Sequence, residues 1–280
     1  MDRRDLASVR QCYRSPRLAP QSRQKGEKTQ CLASVSGPIE VRFAAEQPSK
    51  ATFEVNVRPL SSLPGTESKA LAASLRALLS PSIVLSRNPR TLIQLVVQSL
   101  TPSPTDGFSP SLMAACINAS SLALLNTGSI PMNSVVCAAA VSRLRSASEG
   151  DAPALILDPS EAEAREGIGC GCFAFSFATE ISDSSPPSPS IPTACLVWAN
   201  WRTKDSVFDE GEFARAQAMG LAGAKIVWRG IKESVPQMDV SSALPPLGRS
   251  SAEALENMAQ SDDEDVKMSD RESDDAKVEI

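Results

Sequence analysis

The sequence predicts a mixed α/β domain, and three stretches carry that prediction. The first, ATFEVNVRPL (51–60), sets Phe53, Val55 and Val57 on one side and Thr52, Glu54, Asn56 and Arg58 on the other. That period of two, rich in β-branched and aromatic residues, is a half-buried strand. The second, GTESKALAASLRALLS (65–80), changes to helical spacing at Leu71, Leu75, Leu78 and Leu79, and Pro81 ends it. The third, INASSLALLNTGSIPM (117–132), is a helix of mostly small side chains, Ala119, Ser120, Ser121 and Ala123, with an amide, Asn118, in its middle. Small residues let a helix lie close against a sheet, and a helix covered on both sides is small on both sides. A buried Asn118 must then satisfy its amide by clasping a neighbouring backbone.

The remaining elements follow in order. CLASVSGPIEVRF (31–43) reads as a strand broken by Gly37-Pro38, and AAEQPSK (44–50) joins it to the strand at 51–60 as a hairpin. RTLIQLVVQSL (90–100) is apolar on both faces apart from its glutamines, the composition of a central strand. After TPSPTDGFSP (101–110), Ser109 is suited to cap the small-residue helix and Pro110 to be its first residue. That helix runs to about Asn126, and Gly128 suits the left-handed position beyond its end. SVVCAAAVSRL (134–144) is another strand, and the strand–helix–strand order predicts a right-handed crossover. PALILD (153–158), FAFSFA (173–178) and ACLVWANW (194–201) give three more, the last two separated by the surface loop SDSSPPSPSIP (182–192). A final helix over 209–235 again has a small face: Ala216, Gly220 and Gly223. The body is thus one domain over 31–235. Residues 1–30 are expected to be a divergent or poorly ordered basic start without a first strand, and 236–280 a disordered acidic tail.

The chain has 280 residues, 42% of them hydrophobic, and a net charge of −5. Residues 1–30 carry eight Lys or Arg against three acids, and residues 261–280 nine acids against three bases. A near-neutral body with a basic head and acidic tail is not a basic nucleic-acid domain by itself. There is no histidine, which excludes Ser-His-Asp and Cys-His nucleophiles and any His-ligated metal. The seven cysteines are odd in number and form no Cys-x-x-Cys pair. They read as buried thiols of a reducing compartment. No apolar run approaches the ~20 residues of a membrane span, and the start lacks the apolar stretch of a signal peptide.

Several motifs stand in one order: LASVSGPIEVR (32–42), ATFEVNVRP (51–59), Pro89-Arg90-Thr91, Asn118-Ala119, Ala123-Leu124, Asn126-Thr127-Gly128-Ser129-Ile130-Pro131-Met132 and LILDPSEAE (155–163). In this order the chain resembles the RNase PH family over about residues 26–230. Within that family it is similar to the short RNase PH-like ring subunits of the eukaryotic RNA exosome. The resemblance implies a βαβα fold of the ribosomal protein S5 domain 2-like type. It also implies partners: other RNase PH-like ring subunits, cap subunits and RNA, in a hetero-oligomer with no membrane. The places implied are nucleus, nucleolus and cytoplasm, and the tasks rRNA maturation and RNA turnover.

Active relatives hold inorganic phosphate with an arginine that follows an Asp-Gly loop, and use an Asp-x-x-Glu-Asp motif for acid–base or metal chemistry. In DGFSPSLMAA (106–115) the arginine's place falls to Ser111 or Leu112, after Pro110. In the acidic motif Asp158 and Glu161 remain, but the last carboxylate is Ala162, and Glu163 reads as a solvated residue just beyond. Asp158 and Glu161 are therefore expected to be degenerate remnants serving a turn and a helix start. No catalytic residue, metal or cofactor is expected. Arg87 and Arg90, flanking Pro89, are weak candidates for RNA contact through phosphates. The favoured reading is a non-catalytic exosome ring subunit. The alternatives are an active phosphate-dependent 3′-5′ exoribonuclease using Asp158 and a neighbour's basic residues, or an unrelated α/β ligand-binding module.

Overall fold

The computed structural model describes residues 9–14, 29–60, 63–101, 109–144, 154–178, 193–204 and 209–241; for 9–14, 161 and 236–241 it describes the backbone alone. The strands are β1 (Val9–Arg14), β2 (Gln30–Glu40), β3 (Thr52–Arg58), β4 (Thr91–Ser99), β5 (Val135–Arg143), β6 (Leu155–Leu157), β7 (Gly169–Ala178) and β8 (Thr193–Thr203). The helices are α1 (Thr66–Leu79), α2 (Pro110–Asn126), α3 (Glu161–Glu166) and α4 (Glu210–Ser241).

Two four-stranded sheets result, ordered β1-β2-β4-β3 and β6-β5-β7-β8. In the first, β4 is central as expected, antiparallel to β2 and parallel to β3. Only one of its faces is fully covered: Ile93, Leu95 and Val97 are wholly buried, while Gln98 is exposed. The second sheet is antiparallel throughout. Helix α2 contacts β1, β2 and β4 of one sheet and β5 and β7 of the other, and every residue from Pro110 to Leu124 is buried. Helix α4 packs its small face on the second sheet. A methyl group on Gly220 would sit 3.0 Å from the Phe173 ring, and one on Gly223 2.8 Å from Ala139 Cβ.

Several expectations need correction. The first two predicted strands form no hairpin: β2 pairs with β4, and β3 reaches β4 through α1, a parallel connection that no short loop can make. The strand after α2 does not return to the first sheet; β5 opens the second, so the crossover unit is β3–α1–β4. The start does contain a strand. β1 pairs antiparallel with β2 from Val9↔Val35 to Arg14↔Gln30, an edge strand held by its backbone ladder although its sequence, VRQCYR, has little apolar pattern. Finally, α4 continues through Pro236 to Ser241, since a proline removes one donor without ending a helix whose earlier turns are anchored, here by buried Val227 and Ile231.

Gly37-Pro38 does not break β2 but shifts its register against β4 between Ser36 and Ile39. Gly37 has φ +147, and a Cβ there would lie 2.8 Å from the Leu92 carbonyl oxygen, so only glycine fits. Cys31, Cys116, Cys137 and Cys172 are buried as expected, but Cys170 is half-buried and Cys195, on edge strand β8, is exposed.

Asn118 satisfies its buried amide on β5. Along β5, alternate residues turn their backbone groups away from β7, toward an edge that β6 covers only at residues 141–143. Asn118 Nδ2 donates to the Ala138 carbonyl at 2.9 Å, and the Ala138 N–H donates to Asn118 Oδ1 at 2.8 Å. Ser121 Oγ donates to the Val136 carbonyl at 2.6 Å, and the Asp158 N–H to the Ala140 carbonyl at 2.8 Å. Side chains of α2 thus stand where a neighbouring strand would be.

Candidate functional site

The start of α2 and the Asp158 turn meet. Ser109 caps the helix, its Oγ accepting from the Leu112 N–H at 3.2 Å, and Pro110 is the first helical residue. Both predicted roles hold. Ser111 is buried, and its Oγ donates to the Pro159 carbonyl at 2.7 Å, tying α2 to the turn before α3. Leu112 is buried as well. Neither position offers a cationic group, and both point into protein. Asp106 and Gly107 lie outside the described residues.

On the other side of that hydrogen bond, Asp158 takes a left-handed conformation, φ +55, that short polar side chains tolerate best. With its N–H on the edge of β5, it is a turn residue. Glu161 is the first residue of α3, and its side chain lies outside the described residues. Ser160 is the N-cap, and here the expectation for Glu163 is overturned. Glu163 Oε2 accepts from the Ser160 N–H at 2.7 Å while Ser160 Oγ accepts from the Glu163 N–H at 3.3 Å. This reciprocal capping box satisfies two helix-end donors, so Glu163 is a structural residue rather than a solvated one. Ala162 carries no carboxylate. Among the described residues no group of three His, Cys, Asp or Glu side chains is placed to hold a metal ion.

Arg87 and Arg90 lie elsewhere, at one end of the first sheet. β2 finishes there at Glu40, while β3 and β4 begin there at Thr52 and Thr91. Arg87 ends a short 3-10 turn, and Arg90, 70% exposed, has φ +59 and pairs with Glu46 at 3.4 Å. Such an exposed pair contributes little to stability. The connections are pinned together: Ala51 N–H donates to Leu85, Arg90 N–H to Gln47, and Thr52 Oγ1 to Ala45, each to a carbonyl. The same end carries Arg42 and Lys50, both exposed, and Phe43 at 92% exposure. Four cations and one bare ring thus share this end of the sheet, and such groups can hold phosphates and stack a base. The sequence reading missed Phe43 because it treated the residue as the end of an apolar strand. The only available signal was an aromatic directly after an arginine at the start of a polar connection.

Residues 22–129 match the model of the 3′ exoribonuclease family, domain 1. The chain is similar to exosome complex component RRP46 of Saccharomyces cerevisiae, 33% identical over 135 residues, which is 48% of this chain and 58% of that protein. It is likewise similar to exosome complex component rrp46 of Schizosaccharomyces pombe, 36% identical over 117 residues, 42% of this chain and 49% of that protein. The chain thus spans about half the length of the curated relatives it matches. Among solved structures, rice (Oryza sativa) Rrp46 superposes with a TM-score of 0.58 at 21% identity, covering 81% of this chain and 94% of that one, a likeness of fold.

Proposed function

We propose that this chain is a non-catalytic RNase PH-like ring subunit of the RNA exosome. In that role it packs against related ring subunits and cap subunits and contacts RNA on its way to processing or degradation, rRNA included, in nucleus, nucleolus and cytoplasm. The relatives' names support the assembly. The observation that carries the non-catalytic part is the Ser111–Pro159 hydrogen bond: where the resemblance calls for a phosphate-binding arginine, a buried serine is spent on a backbone carbonyl. Asp158 and Ser160 are likewise occupied in holding a turn and a helix start. Purified protein given single-stranded RNA and inorganic phosphate is expected to release no nucleoside diphosphates. Robust release that disappears in Asp158→Ala would make the chain an active phosphorolytic enzyme.

RNA contact is assigned to the end of the first sheet that carries Arg42, Phe43, Lys50, Arg87 and Arg90. Phe43→Ala is expected to weaken binding of a single-stranded RNA by the assembled complex about 5- to 100-fold, the range of one lost base stack. Arg87→Ala and Arg90→Ala should instead reduce its salt dependence, as lost phosphate contacts do. Unchanged affinity and salt slope in all three would remove RNA from this surface.

A further inference from the structure

Two thiols of the core touch across the boundary between the first sheet and α2. Cys31 Sγ, on β2, donates to Cys116 Sγ, on α2, at 3.4 Å. Both residues are fully buried and lie 85 positions apart in the chain. A disulfide holds its sulfurs at ~2.05 Å, so closure asks the two atoms to approach by roughly 1.3 Å. We propose that Cys31 and Cys116 form a redox-closable staple, reduced in the structure described and converted by a thiol oxidant into a disulfide that fixes α2 to β2.

A diazene such as diamide supplies the chemistry. One thiolate adds across the N=N bond; the second attacks that sulfur and forms the S–S bond as the hydrazine leaves. Two protons and two electrons pass from the thiols to the diazene. Cys172 on β7 is the competing partner for Cys116, close enough that their thiolates would repel. Burial pushes the Cys172 thiol well above its ordinary value, but Cys31 and Cys116 are as deeply buried, so it is the 3.4 Å contact that favours the Cys31–Cys116 pair. Because Cys31 and Cys116 are covered, the oxidant reaches them only when the protein opens locally, so closure is slower than reaction at exposed Cys195.

The test uses the full chain with Cys195→Ser to remove the exposed thiol of β8, treated with diamide in native buffer and in urea below the unfolding transition. Alkylation in denaturant, intact mass and proteolytic mapping then report the links. Expected are the loss of two alkylatable thiols, a Cys31–Cys116 cross-linked fragment, and faster closure in mild urea. The link should persist in Cys172→Ala and vanish in Cys116→Ala; mapping of the Cys195→Ser chain decides alone if the latter fails to fold. A cross-link over so long a loop restricts the unfolded chain strongly, so the oxidised form should melt several degrees higher and return to the starting value on reduction. A Cys116–Cys172 link, or Cys31 and Cys116 still alkylatable after half-buried Cys170 is consumed, overturns the proposal.

Discussion

Asn118 shows how one side chain can complete a sheet. Its amide presents a donor and an acceptor at the spacing of a backbone peptide, and both meet Ala138 in a site only 2% exposed. Asn118→Leu keeps the volume and strands the N–H and C=O of Ala138 without water. Each group left unsatisfied costs about 1–3 kcal/mol, a large share of the ~5–15 kcal/mol that holds a domain together. Urea unfolding should show that loss. Ser120→Ala, two residues on, is the contrast: Ser120 Oγ donates only to the Cys116 carbonyl within its own helix, so its removal should cost less than about 1 kcal/mol. Equal losses in the two variants would mean that Asn118 is merely a tolerated polar residue. That Asn118 must clasp a backbone was legible in the sequence, because buried amides are satisfied. Which backbone was not, since the choice depends on an edge that exists only once β5 has left the first sheet.

At the scale of elements, local chemistry was readable and pairing was not. The cap at Ser109, the start at Pro110, the end at Asn126 and the left-handed Gly128, φ +60, all lay in the sequence, because each is decided within one or two turns. The alternation of β3 was equally plain. Yet Phe53, Val55 and Val57 say which face is apolar, not which strand lies beside it, so a hairpin and a crossover look the same until α1 is placed. The candidate site divided likewise: the degenerate motifs were legible as residues, whereas the Ser111–Pro159 contact joining them is 48 positions long in sequence. Helix α4 lends itself to a paired test. Gly223→Ala would bring a methyl group to 2.8 Å from Ala139 Cβ, which the sheet holds fixed, and overpacking typically costs ~1–3 kcal/mol. Gly230 has nothing within 4 Å of the same added atom, and alanine there should stabilise the helix by about 0.5–1 kcal/mol. Paired thermal melts should therefore move in opposite directions; if both rise, α4 does not rest on the sheet as closely as its small face requires.

For the whole molecule, the unit Met1–Val235 contains both sheets and the buried helix. The proposed assembly with ring partners falls to this unit. Truncation after Ser241, where α4 finishes, is expected to leave copurification with those partners intact, and loss of the complex would turn the acidic segment into a docking element. The way α2 closes β5 has a further consequence. An uncovered strand edge is a template on which any passing extended chain can nucleate, and proteins guard such edges with charges, prolines or bulges. Here Asn118 engages both outward groups of Ala138, and Ser121 Oγ and the Asp158 N–H engage the outward carbonyls of Val136 and Ala140, so an intruding segment finds those partners already taken. A helix acts as gatekeeper, and a substitution that loosens it should be felt as misassembly and aggregation during synthesis as much as lost stability in the finished fold.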